Sequence, residues 1–227
     1  MVSDVNTVRR AFECMTHFGV CTATCYFDES MMCHGYSDYA GIYLTIPSEC
    51  RTHKCKVPIA HLVKILVTCM SHSMVRLTFH ASHFLVENEV QYRVEYVSGP
   101  IDPLIYPTVR SCGAYHVALP TLHRFIKLSE EDITLTEGLT LTSQYQGVIK
   151  STLTFPPYEG PLYVRLDVPL NCGERWPDSI SFSSTLMRYL CRTQSFQTSG
   201  VMVVCAEHLV WQATRGDVGL KLCFTKI

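Results

Sequence analysis

Four amphipathic stretches, near residues 4–18, 58–71, 120–128 and 183–196, each lead into a run of short β-branched and aromatic segments. Their starts are about 54, 62 and 63 residues apart, so one helix-plus-strands unit recurs four times along the chain. A unit of this kind cannot bury its apolar stripe alone. At 227 residues the chain can build two domains of about 100 residues each, or one large one, and either can bury a core.

The helices can be read residue by residue. Val5, Val8, Phe12 and Met15 make an apolar stripe in the first, with Asp4 placed to cap it. Pro58 suits the first position of the second, whose core face is Ile59, Leu62, Val63, Leu66 and Met70. Pro120 opens the third, with Leu122, Phe125 and Ile126 inward. The fourth begins after Ser183 or Ser184 and buries Leu186, Met187 and Leu190. Strands are expected at 20–27, 39–46, 75–79, 90–97, 148–155, 162–166, 201–206, 208–213 and 219–224. Glu137-Gly138 marks a hairpin turn between "DITLT" and "LTLT", and Glu207 another between adjacent runs.

Charge follows this organisation. The net charge is only −1, but the four helical windows hold seven Lys and Arg against two carboxylates, Asp4 and Glu13. That leaves twelve of the nineteen cationic residues and eighteen of the twenty acidic ones elsewhere. Arg9, Arg10, Lys64, Arg124, Lys127, Arg188 and Arg192 are therefore expected on polar helix faces, joined by His61 and His123. Cations gathered on one set of helices point to a polyanion.

Other functions find little support. There is no G-x-S-x-G, H-E-x-x-H, P-loop or glycine-rich dinucleotide turn, and no base is paired locally with Cys112 or Cys172. A Cys/His-dependent hydrolase is thus a remote alternative, and no catalytic residue or cofactor is expected. The twelve cysteines show no CxxC pair and read as small buried hydrophobes. Cys50, His53 and Cys55, with Cys33 and His34, lack the paired ligand sets of a structural zinc site. No apolar run approaches the roughly 20 residues that cross a bilayer, so no membrane association is expected and the chain reads as soluble and intracellular.

"SGPIDPLIYPTVRS", residues 98–111, carries three prolines and no regular period. It reads as an extended connection between an N-terminal domain, 1–98, and a C-terminal domain, 112–227, with 99–111 as the connecting loop. Its apolar Ile101, Leu104, Ile105 and Tyr106 are either pinned to the domain beneath or offered to a partner.

"HLVKIL", "PLIYP", "HRFIKLSEEDITLTEGLTLTS", "MRYL" and the ending "GLKLCFTKI", in that order and spacing, resemble the sliding-clamp family of the proliferating-cell-nuclear-antigen type, over nearly the whole chain. The resemblance implies an α+β sliding-clamp fold: two similar domains, each with two helices on an inner face and antiparallel sheets outside. It also implies a ring of six domains, hence a homotrimer, around double-stranded DNA. Lys64, Arg124, Lys127 and Arg188 match the family's basic inner positions, with Arg9, Arg10 and Arg192 on the same helices. The implied role is a DNA polymerase processivity factor serving replication and repair, either in the nucleus or at the intracellular site of viral replication. Alternatives within the fold are a subunit of a heterotrimeric checkpoint-type clamp and a diverged viral clamp of different stoichiometry.

The resemblance further implies a pocket for a short helical peptide motif of polymerases and other replication proteins. Leu104, Ile105 and Pro107 match its loop, Ile42 the strand beneath, His208 and Leu222 the second-domain wall, and Phe224 and Thr225 the terminal segment. Subunit pairing would run edge to edge, through Gln91, Tyr92, Val94 and Tyr96 on one side and Val148, Lys150 and Thr152 on the other. The family pattern begins with a strand ahead of the first helix. Only residues 1–4 stand there in this chain, so that strand is expected to be missing.

Overall fold

A computed structural model of the protein describes residues 2–27, 30–38, 40–47, 53–69, 73–103, 110–129, 132–146, 149–160, 171–172, 179–205 and 208–225. The chain divides into two compact units. One comprises residues 1–104 with 214–221, the other 105–213 with 222–227. The boundary falls inside the proline-rich stretch, and Thr214–Lys221 belongs with the first unit rather than with the second half of the chain.

The first unit opens with β1 (Val2–Asp4) and α1 (Val5–His17), followed by β2 (Thr22–Phe27), β3 (Ser30–Tyr36), β4 (Ala40–Pro47) and β5 (His53–Pro58). Then come α2 (Ile59–Thr68), β6 (Met74–Phe79), β7 (His83–Glu87) and β8 (Gln91–Glu95). Strand β1 corrects the expectation of a missing first strand: it pairs antiparallel with β6, Val2 opposite Arg76 and Asp4 opposite Met74, and completes the sheet β1-β6-β7-β8. Three residues suffice because β6 supplies a paired neighbour and α1 starts at once. The Asp4 carboxylate accepts from the Thr7 amide and hydroxyl, both at 2.8 Å, and so fixes where strand becomes helix.

Helix α1 ends as its sequence dictates. Gly19, at φ +81°, takes the left-handed position after the helix, and its amide donates to Thr16 while that of Val20 reaches back to Met15, each at 3.0 Å. Val5, Val8, Phe12 and Met15 are buried as the helical period predicts, and α1 packs on α2. Each such side chain contributes about 1.5–3 kcal/mol on burial. Pro58 caps α2 from an extended conformation, so the helix begins one residue later than expected, and Ile65 joins Ile59, Leu62 and Leu66 in the core. Strands β5, β2, β3 and β4 form the unit's other sheet, antiparallel throughout.

The second unit repeats the plan. It contains β9 (Arg110–Ala118), α3 (Leu119–Lys127), β10 (Ile133–Thr136), β11 (Thr140–Tyr145), β12 (Ile149–Thr154), β13 (Asn171–Cys172), β14 (Ile180–Phe182) and α4 (Ser184–Cys191), which runs on into a 3-10 turn at Arg192–Ser195. Strands β15 (Ser199–Cys205), β16 (His208–Arg215) and β17 (Val218–Thr225) end the chain. Sheet β12-β11-β10-β14 turns through Gly138 and Leu139, both at positive φ, where Glu137-Gly138 marks a hairpin. Strand β9 pairs with β15, and β15 with β16, all antiparallel, while the short β13 runs parallel to β9. Leu122, Ile126, Leu186, Met187 and Leu190 are buried where α3 packs against α4; Phe125 is half-buried. The segment expected as a strand at 162–166 and the turn at Glu207 lie outside the described residues.

Candidate nucleic-acid interface

In each unit the apolar stripe turns inward, which leaves the cationic stripe of the same helix outward. On α2, His61 and Lys64 are exposed, three residues apart and one turn from exposed Thr68. On α3, Arg124 and Lys127 are exposed and His123 is half-buried. Among the described residues no carboxylate lies within ion-pair distance of Lys64, Arg124 or Lys127. The first turns of all four helices are free of acid. These side chains are long, hydrated and uncommitted, as loose contact with phosphate requires.

The other basic residues are partly committed. Arg9 is mostly buried, its Nε 3.5 Å from a Glu13 carboxylate oxygen one turn on, so its charge is largely answered within α1. Arg10 is half-buried. Arg188 donates to the Ser129 carbonyl at 2.9 Å, joining α4 to the C-terminal end of α3, where carbonyls lack helical partners. Arg192 lies over the Tyr189 ring, 4.3 Å from its centroid, which fixes its guanidinium plane beside the helix. Of the nine expected contacts, then, Lys64, Arg124, Lys127 and His61 are presented, Arg10 and His123 partly so, Arg188 and Arg192 are held in place, and Arg9 is ion-paired with Glu13.

The partner-pocket residues fare differently. Ile42, Leu222 and Phe224 are fully buried core residues, on strands whose inward face they share with other apolar groups. His208 is half-buried, with Nδ1 unpartnered. Leu104, Ile105 and Pro107, and the side chain of Thr225, lie outside the described residues.

What sequence reasoning missed is how the connecting stretch leaves the first unit. The Val97 amide donates to the Lys56 carbonyl at 2.9 Å, the Tyr26 hydroxyl to the Asp102 carbonyl, and the Asp102 carboxylate meets Lys56 at 3.0 Å. A hydrogen bond from Lys56 holds the Asp102 carboxyl below the usual range. Beneath this tie His34 is buried with both ring nitrogens unpartnered, packed against the rings of Tyr26, Tyr36 and Tyr43 at 5.4–6.3 Å. Burial lowers its pKa, against an opposing pull from Asp102. The signal was Asp102 between Pro100 and Pro103, a carboxylate in a stretch already stiffened.

The expected pairing strands both stand at sheet edges, β8 in β1-β6-β7-β8 and β12 in β12-β11-β10-β14. Gln91, Lys150 and Thr152 are exposed and Tyr92 half-buried, with its hydroxyl 3.2 Å from Thr68. Val94 is buried and so offers a partner its backbone, not its side chain. Tyr96 lies just past β8, with its hydroxyl on the His80 carbonyl, and Val148 is outside the described residues. Val67, next to the Thr68 that meets Tyr92, and Leu128 after α3 are exposed apolar residues. Among the described residues no three His, Cys, Asp or Glu side chains are arranged to hold a metal ion. Cys50 is not among those residues.

No protein-family profile matches the chain, and a search of curated protein sequences finds no significant relative. Solved structures do match. Proliferating cellular nuclear antigen from Entamoeba histolytica aligns over 98% of this chain and 96% of its own, with a TM-score of 0.73 at 13% identity. The PCNA2-PCNA3 complex from Sulfolobus tokodaii aligns over 99% and 98%, with a TM-score of 0.71 at 10% identity.

Proposed function

We propose that this chain, which has the sliding-clamp fold, is a non-enzymatic DNA-tethering processivity factor. The observation that carries the reading is the free cationic stripe on Lys64, Arg124 and Lys127, opposite the buried stripes of α2 and α3. Three copies would close through the open edges of β8 and β12, and six domains would place these stripes toward the duplex. Exposed Val67 and Leu128 would be covered in the same joints. Contacts to phosphate alone carry no base information, so such a ring holds the duplex and still slides.

The partners that fit this role are a DNA polymerase and other replication and repair proteins, taken through a short helical motif at Leu104, Ile105 and Pro107 with His208 and Thr225 nearby in the family pattern. The site of action would be the nucleus, or the place of viral replication for a viral chain. A mixed ring is a second reading, favoured by the match to a complex of two different PCNA subunits. The test is the triple variant Lys64→Glu, Arg124→Glu, Lys127→Glu. Loss of salt-sensitive DNA retention in a folded protein is expected, and unchanged retention would remove the interface.

A further inference from the structure

Three cysteines meet in one row across β3, β2 and β5. Cys25 is opposite Cys33 on one side and Cys55 on the other, and all three are reduced and buried. The two pairs are geometrically different. The Ile59 amide donates to the Cys21 carbonyl at 2.9 Å, and along the β2–β5 register this hydrogen-bonded geometry recurs at every second pair, so Cys25 and Cys55 are a hydrogen-bonded pair. The Lys56 carbonyl accordingly points away from β2, where the Val97 amide meets it. Because the amide and carbonyl of Cys25 both face β5, its pair with Cys33 is the non-hydrogen-bonded kind, with Cα atoms about 4.5 Å apart against about 5.5 Å. Both spacings fall in the window of roughly 4.4–6.8 Å for a disulfide, and the closer side chains of the Cys33 pair reach the required Cβ separation with less backbone movement.

We propose that Cys25, Cys33 and Cys55 form a thiol relay for hydroperoxides, in which oxidation enters at Cys55 and comes to rest as a Cys25–Cys33 disulfide. Strand β5 is the outermost of its sheet, so opening of that edge exposes Cys55 first. Accepting a hydrogen bond from Cys25 lowers the Cys55 pKa, whereas full burial pushes that of Cys25 up. The Cys55 thiolate attacks a peroxide oxygen, the O–O bond breaks, and an alcohol or water leaves, with sulfur oxidised by two electrons to the sulfenic acid. The Cys25 sulfur then displaces the sulfenic hydroxyl, which departs as water with the Cys25 proton. Finally Cys33 attacks the Cys25 sulfur, its proton passing to the released Cys55 thiol. Thr24 and Tyr26 flank Cys25 and Lys56 follows Cys55, so the transient Cys25–Cys55 disulfide joins the two strands that hold Asp102, whereas the resting Cys25–Cys33 disulfide joins β2 to β3.

The test is treatment of the folded, full-length protein with hydrogen peroxide, quenching by alkylation at intervals, and disulfide mapping by mass spectrometry without reduction. Early samples should contain Cys25–Cys55 and late ones Cys25–Cys33. Cys33→Ala should stop the reaction at Cys25–Cys55, and Cys55→Ala should slow disulfide formation at least tenfold. Wild-type protein that loses exposed Cys21 to oxidation while forming no Cys25 disulfide overturns the relay, whatever the variants do. So does Cys25–Cys33 formed at an equal rate without Cys55.

Discussion

The Asp102 carboxylate oxygen that meets the Lys56 ammonium at 3.0 Å also accepts from the Thr24 hydroxyl at 3.4 Å, so one side chain of the connecting stretch is tied to both β5 and β2. The carboxylate is half-exposed, which limits what the pair adds to global stability. Its effect is local. Asp102→Asn should accelerate hydrogen exchange at the Val97 amide while leaving the thermal midpoint nearly unchanged. The folded-state pKa of Asp102 is lowered, so the tie is present above the ordinary carboxylate range near pH 3.9 and is lost as pH falls through the folded value.

His34 makes a prediction of the same sign in a higher pH window. Its folded pKa is below the unfolded value of about 6.5, so the unfolded chain takes up the proton first and stability falls as pH drops below that value. His34→Phe keeps the ring packing and removes the titration. Urea midpoints should decline from about pH 7.5 to about pH 5.5 in the wild type and decline less in the variant.

The basic residues should separate by their commitments. Lys64→Glu, Arg124→Glu and Lys127→Glu each take away one cation of the proposed interface, and each should reduce the salt slope of DNA binding by about 0.9. Arg9→Gln should change that slope little, because Glu13 already answers its charge. Titrating binding against salt for the four variants measures both.

Arg188 has a structural bond to lose besides its proposed contact with DNA. Arg188→Ala removes the bond to the Ser129 carbonyl and should cost about 1 kcal/mol in a denaturant titration as well as weaken DNA binding. Lys64→Ala, with no such bond among the described residues, should affect binding alone.

The Asp4 cap joins β1 to α1. Burial raises its pKa and the Thr7 hydrogen bonds outweigh that, for a net lowering. Asp4→Ala should destabilise the protein by about 1 kcal/mol, read from the urea midpoint.

Much of this fold is legible in the chain, and the exceptions have physical reasons. The stripe Val5, Val8, Phe12, Met15 and the left-handed Gly19 announce α1 because helical period and glycine chemistry are local. Strand β5 does not announce itself: Lys54 and Lys56 alternate with Cys55 and Val57, a half-buried strand that resembles a charged metal-binding loop until β2 is seen beside it. Strand β3 hides for a similar reason, since His34 and Gly35 look like loop residues but are buried by the aromatic rings and Val20 around them. Strand β1 is too short to carry a period. At the candidate site, the polar faces of α2 and α3 follow from spacing, and the Arg9–Glu13 pair was visible as i, i+4. The burial of Ile42, Leu222 and Phe224 was not visible, because an apolar residue on a strand does not declare which face will be covered.

Topological capture of DNA is the central claim, and end-dependence measures it most directly. The protein is incubated with a linear duplex whose ends are open, and its dissociation half-life is then followed with the ends left free or blocked by a bulky bound protein. Blocking should lengthen retention many-fold, because a threaded ring can leave only by sliding off an end. Equal half-lives on open and blocked duplexes would contradict encirclement.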